Sequence, residues 1–245
     1  MRLAEMTTDQ VVQYLVKRSI VAIPLGSTEQ HGSLGPLGCD SIVATEVVER
    51  ACNRTGIVMT PAMPFGLSQN HTSFGGTVSL RASTLASVVF DIVGSLSGQG
   101  FRKFLFVSGH GGNRGPVLCG LADAVACNPD LRCRYVPYWE LPGVPEAQKE
   151  LFGEGNGAHG TATELSIVYH LYPDLAGESK RKIKKHPPEA PAGCVLGPEE
   201  WARRYPEGLV GVDPSVISDR AGRDILKAIV DSLCKLISEW EKDAS

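Results

Sequence analysis

Three of the six histidines in this 245-residue chain sit in glycine-flanked turns: His31 in "EQHGS", His110 in "SGHGGN" and His159 in "GAHGT". Small neighbours let a backbone turn tightly and bring a side chain against a ligand. Carboxylates accompany the imidazoles. Glu29 and His31 lie two apart in what reads as extended chain, so their side chains project the same way. Asp40 opens the next helix and can fold back over them, and Glu164, one turn into the helix after His159, could reach the same cleft. Imidazole with carboxylate is ligand chemistry for zinc, manganese or iron, whereas calcium prefers oxygen alone.

Charge counting makes a two-metal centre plausible. Two divalent ions carry about +4 and three carboxylates return about −3, a surplus that favours a bound hydroxide near neutral pH. That is the logic of a hydrolase. The chain has no G-x-x-x-x-G-K-[ST] for a nucleotide and no G-x-S-x-G for a serine nucleophile. Cys39, beside Asp40, is the one cysteine near these residues; an adjacent carboxylate raises its pKa, so it reads as a packing residue.

The elements that must position these groups follow from hydrophobic periodicity. Residues 19–25 read as a strand, residues 41–53 as a helix with Asp40 at its N-cap, and residues 57–63 as a second strand. A helix over 84–98 leads to a strand from Phe101 to Ser108, a helix from Arg114 and a fourth strand over 132–139. Alternating strands and helices argue for an α/β chain whose mostly parallel sheet is covered on both faces. Ligands of such sheets bind beyond the carboxyl ends of the strands, where Glu29, His31 and His110 all fall. Further on, a helix runs from about Thr161 to before Pro173. Lys180 to Gly211 reads as a long Pro- and Gly-rich excursion, and a last helix runs from about Asp219 to Lys242.

Composition narrows the class. Lys and Arg number 24 against 27 Asp and Glu, and apart from "KRKIKK" at Lys180–Lys185 no block of one sign stands out, so nothing advertises a nucleic-acid surface. No apolar run approaches the roughly 18 residues of a membrane span. The beginning of the chain has no apolar signal stretch, and the seven cysteines include no C-x-x-C pair. The expectation is a cytoplasmic protein of one domain, residues 1–245, with a small-molecule substrate and neither membrane nor nucleic acid as partner.

"PLGSTEQHG" followed by Asp40, then "SGHGGN", then "AHGTATELS" with "LYPDL", and finally "GVDPSVISDRAGRDIL" resemble the creatininase, or creatinine amidohydrolase, family across residues 19 to about 226. The resemblance implies a three-layer α/β/α sandwich, metal-dependent hydrolysis of a C–N amide-type bond, and a dimer-based homo-oligomer such as a hexamer. It implies two divalent ions per chain: Glu29, Asp40 and His110 hold one, His31 and Asp40 the second, with Asp40 bridging. Creatininase proper carries G-H-Y-E-N after the third strand, and its Glu is a ligand. Here Gly112 stands at that place, and Glu164 is the candidate replacement, as in the family's G-H-G-G-N branch. Gly111 also replaces an aromatic that contacts creatinine, which makes creatinine itself a poor substrate. That branch includes formamide deformylases and a peptidase that trims a peptide precursor.

By the same resemblance His159 handles protons at the scissile bond, and His71, in "SQNHTSFGGT", takes a substrate or supporting role. Asn113 lies near the metals, where it fixes the loop or binds substrate. Read singly and from the residues alone, each of the three glycine-flanked histidines reads as a turn residue capping a carbonyl, and His159 equally as a helix N-terminal histidine. Arg114 could meet an anion, Trp139 and Glu140 could line the cleft, and His170 reads as a core or interface residue. His186 reads as surface, and the helix bearing Tyr169 and Tyr172 as an interface between subunits. Two other readings keep the fold: a one-metal hydrolase in which Glu164 serves as base or orients water, and a metal-free small-molecule binder.

Overall fold

In a computed structural model of the protein, residues 1–175 and 194–243 are described. Four strands, β1 (Ile20–Leu25), β2 (Val58–Met59), β3 (Lys103–Ser108) and β4 (Arg132–Pro137), form one parallel sheet in the order β2-β1-β3-β4. Eight helices accompany them among the described residues: α1 (Thr8–Leu15), α2 (Cys39–Thr55), α3 (Ala82–Gly98), α4 (Arg114–Cys127), α5 (Val144–Phe152), α6 (Ala162–Leu171), α7 (Pro198–Arg204) and α8 (Asp219–Lys242).

The three layers follow from the two-residue period of the strands. Ile20 and Ala22 of β1 and Leu105 and Val107 of β3 pack with α2, α5, α6 and α8. Their alternates Val21, Ile23, Phe104 and Phe106 pack with α1, α3 and α4. Both faces of β1 are buried, which is why it reads as an unbroken apolar run rather than an alternating one. The chain winds outward through α2 to β2 on one side of β1, then returns through α3 to β3 on the other. This reversal places the crevice of the sheet between the carboxyl ends of β1 and β3.

Several boundaries differ from the sequence expectations. The second strand keeps only Val58–Met59, because Pro61 and Pro64 interrupt the donors a longer ladder needs. Helix α2 starts at Cys39 with Gly38 at its N-cap, so Asp40 lies inside the first turn and is not the cap. A carboxylate there is favoured by the helix dipole, and its oxygens are drawn to two imidazoles instead of the helix N–H groups. The excursion contains α7, and α1 and α5 were not foreseen. His186 and the Lys180–Lys185 block lie outside the described residues. Every residue from Ala162 to Tyr169 is buried, and Tyr169 donates its hydroxyl to the Leu34 carbonyl at 2.7 Å, so this part of α6 is core and offers no subunit surface; only Tyr172 is exposed.

Candidate metal centre

Beyond the end of β1, Glu29 and His31 bring their side-chain atoms into one cluster, while the Gln30 amide reaches His71 beside it. Glu29 is fully buried, and Asp40, His31, Glu164 and His110 are nearly so. His110 arrives from the turn after β3, where Gly109 lies against the backbone of Asp40; a Cβ on residue 109 would overlap the Asp40 carbonyl oxygen. That contact brings the third strand's turn onto the first turn of α2.

The histidines are oriented by main-chain carbonyls. His31 Nδ1 donates to Glu29 O at 3.0 Å, and His110 Nε2 donates to Leu67 O at 2.8 Å. His159 Nε2 lies 2.9 Å from Gln30 O and donates to it in the same manner. In each ring the other nitrogen therefore faces the carboxylates. His31 Nε2 is 3.1 Å from Asp40 Oδ1 and 3.9 Å from Glu164 Oε2. His110 Nδ1 is 3.1 Å from Glu29 Oε1 and 3.3 Å from Asp40 Oδ2, and His159 Nδ1 is 3.6 Å from Glu29 Oε1. A ligating histidine has this arrangement: one N–H tied to a carbonyl, the other nitrogen free for a cation.

Both oxygens of Glu29 and Asp40 Oδ2 are buried without a hydrogen-bond partner, so the 3.1 Å approach of His110 to Glu29 lacks hydrogen-bond geometry. A buried carboxylate oxygen left bare is costly. Lone pairs facing lone pairs demand a cation between them, either protons or metal. The side chains accordingly fit divalent ions: the ligand atoms of Glu29, Asp40 and His110 lie within 4.8 Å of one another, as do those of Glu29, His31 and His159 and those of His31, Cys39 and Glu164.

Without metal the same positions compete for protons. Burial lowers the pKa of His31, but Asp40, then Glu164 and Glu29, raise it to about 10. Burial likewise opposes His110, which Glu29 and Asp40 hold well above the ordinary imidazole value. Glu29 is pushed up by burial and held far below its usual range by His110, His71 and His159. Burial raises Glu164 to about 7, and burial with Glu164 and Asp40 keeps the Cys39 thiol protonated. His159 goes the other way: burial, with His71 beside it, lowers it to about 3, so it rests neutral.

Glu164 has a structural task that "TATE" announces. Thr161 caps α6 and Glu164 Oε1 accepts the Thr161 N–H, forming a capping box that leaves Oε2 toward His31. At Gly112, the place of the expected carboxylate, a Cβ would overlap Leu67 O and crowd the His110 ring, so no side chain fits without a rearranged turn.

Other candidates take different places. Asn113 is fully buried, accepting from Leu67 N at 3.1 Å and donating to Gly26 O at 3.0 Å, which makes it a brace between loops and not part of the cleft lining. His71 lies behind His159, stacked at 4.3 Å between ring centroids, and is also absent from the lining. Arg114 pairs with Glu140, while Trp139 lines the cleft and His170 bonds Asp219 at 2.9 Å.

Sequence reasoning missed Gln30 and Trp201. Gln30 Oε1 accepts from Gly32 N at 2.9 Å, which turns its amide nitrogen to donate to His71 Nδ1 at 3.0 Å, while the His159 Nε2–H stays with the Gln30 carbonyl. Trp201 of α7 sits edge-on to His71 at 4.3 Å. The strand alternation could have flagged Gln30; nothing local could have flagged Trp201, which is far along the chain.

Comparison with known proteins matches residues 4–237 to the family profile described as creatinine amidohydrolase. The chain is 27% identical over 234 residues to a creatinine amidohydrolase of Pseudomonas putida, covering 90% of this chain and 89% of that protein. It is 29% identical over 236 residues to a mycofactocin precursor peptide peptidase of Mycobacterium tuberculosis, covering 90% and 85%. Solved creatininase structures, one in a manganese form and a variant of zinc–zinc type, align with TM-scores of 0.87 and 0.86 at 26% identity, each over 98% of both chains.

Proposed function

The chain belongs to the creatinine amidohydrolase family, and from that premise we propose that it is a metal-dependent hydrolase of a carbon–nitrogen amide-type bond in a small molecule. The observation that carries this reading is the set of bare, buried oxygens on Glu29 and Asp40, faced by the free nitrogens of His31, His110 and His159. Glu29, Asp40 and His110 would hold one divalent ion and His31, Asp40 and Glu164 a second, with zinc, manganese or iron suited to such donors. The manganese and zinc–zinc forms of creatininase support the first two. When bound, the ions acidify water and polarise the carbonyl of the scissile bond.

The protein's own residues do the rest. The carbonyls of Glu29 and Leu67 fix the two ligating imidazoles, and burial strips competing water from the carboxylates. His159 rests as an acceptor at Nδ1, so a proton that it delivers to the departing nitrogen is one it has first taken up from the attacking water. Gln30 and His71 hold its ring in place. One observation favours the one-metal alternative: Glu164 is already engaged in the α6 cap and its pKa rises to about 7, as a base or water-orienting group would need.

The test combines metal content with turnover. The protein is loaded with manganese, zinc or iron and assayed against formamides, lactams, creatinine and short peptides. Glu29→Gln, His31→Ala and His110→Ala should each lose bound metal by elemental analysis and lose turnover. Full metal loading in all three would remove the site. His159→Ala should keep the metal and slow hydrolysis by about 10²–10⁴-fold, the range for a lost proton-transfer group. Two ions per chain support the binuclear form, one the alternative.

A further inference from the structure

Beyond the metal-binding groups, the cleft, of about 250 Å³, has no lysine or arginine in its lining among the described residues. One part of its wall comes from α5, the turn that follows and the head of α6, and carries Gln148, Asn156 and Thr161. A network through Thr163, fully buried in the first turn of α6, orients both carboxamides. Asn156 Oδ1 accepts the Thr163 N–H at 3.0 Å and the Thr163 hydroxyl at 2.8 Å. Having donated its proton, Thr163 Oγ1 accepts from Gln148 Nε2 at 3.0 Å. The bonding order assigns the remaining atoms: Asn156 must show its NH2 and Gln148 its carbonyl oxygen. Neither remaining atom has a hydrogen-bond partner among the described residues.

We propose that Gln148 and Asn156 form a carboxamide clamp that selects a neutral substrate presenting an N–H donor beside a C=O acceptor, the edge of a lactam or urea; this rests on the hydrolase reading above. The donor of Asn156 takes the substrate carbonyl and the acceptor of Gln148 takes the substrate N–H. A carboxylate would set its oxygens against the Gln148 oxygen, and an ester or ketone would leave that oxygen without a donor. A site built to hydrogen-bond a group rejects the analogue that lacks it, because its own polar atom is then left unpaired. Both side chains hang from Thr163, next to Glu164, so the clamp is registered on the same helix turn as a candidate metal ligand.

The probe pair is 2-pyrrolidinone and γ-butyrolactone, which differ by N–H against ring oxygen, titrated into metal-loaded protein by ligand-observed NMR. The wild-type protein should prefer the lactam by about tenfold or more, the loss expected when a built hydrogen-bond partner is missing. Gln148→Leu should erase the preference. Asn156→Asp keeps the oxygen that Thr163 uses and replaces only the outward NH2, so it should fold, retain its metal and weaken lactam binding by about tenfold. Equal affinity for the two probes in the wild type, an unchanged preference in the metal-replete Gln148→Leu protein, or unchanged lactam affinity in the metal-replete Asn156→Asp protein, overturns the clamp. If the preference and its loss appear but no amide is hydrolysed, the clamp stands and the hydrolase reading falls. If amides are hydrolysed but Gln148→Leu keeps the preference and Asn156→Asp keeps its lactam affinity, the reverse holds.

Discussion

At the scale of residues, each of the facing imidazole nitrogens of His31 and His110 needs a cation. In the metal-free protein that cation is a proton, and the sign of its effect on stability is defined. His31 is raised from an ordinary 6.5 to about 10 in the folded state, with His110 shifted in the same direction. The stability this contributes is fully present below about pH 6.5 and is lost as pH rises toward 10. Chelator-treated protein should therefore unfold at progressively lower denaturant between those pH values. Metal binding, which requires deprotonated ligands, should strengthen over the same interval. A flat profile for metal-free protein would count against the protonated pairs. The types and spacing of Glu29, His31, Asp40, His110 and Glu164 were legible in the sequence. The tautomers of His110 and His159 were not, because they depend on carbonyls contributed by Leu67 and Gln30.

At the scale of elements, the site exists because turns can touch. Gly109 lets the end of β3 lie on the first turn of α2, and a methyl group there meets the Asp40 carbonyl oxygen. Gly109→Ala should cost about 1–3 kcal/mol, as overpacking does, and should weaken metal binding by moving His110 away from Asp40. Denaturant midpoints and metal titration measure the two effects, and a variant as stable and as metal-replete as the parent would refute the contact. Strands, the helices that follow them and the crevice at their carboxyl ends were readable from periodicity. Their exact bounds were not. Asp40 has the residue type of an N-cap, but the pull of His31 and His110 places it inside α2. Helix α7 hides in a Pro- and Gly-rich stretch with too short a period to register.

At the scale of the molecule, helices on both faces of the sheet bury the carboxylate cluster, and α8, capped by Ser218, closes one face through Ile225, Leu226, Ile229, Leu233 and Ile237. Ions held by such a cluster bind the folded chain alone. Manganese or zinc at 100 times its dissociation constant should stabilise the protein by about 2.7 kcal/mol. Thermal melts with and without chelator read this, and the absence of any shift would favour the metal-free binder. We also propose a homo-oligomer, tested by light scattering, with a surface other than buried α6; a monomer would remove that proposal. No helix among the described residues is long and apolar enough to cross a membrane.

By itself the sequence determined the chemistry on offer and the order of its delivery: Glu29 and His31 after one strand, Asp40 on the next helix, His110 after the third strand, His159 and Glu164 at a later helix. Those are local facts, set by side-chain type and by the periods of strand and helix. The tertiary structure alone decided which atoms meet. Burial stripped Glu29 and Asp40 of partners, Leu67 O excluded a side chain at Gly112, and Thr163 turned Gln148 and Asn156 to face the cleft. Each of these joins residues distant in sequence, where periodicity carries no information and packing decides.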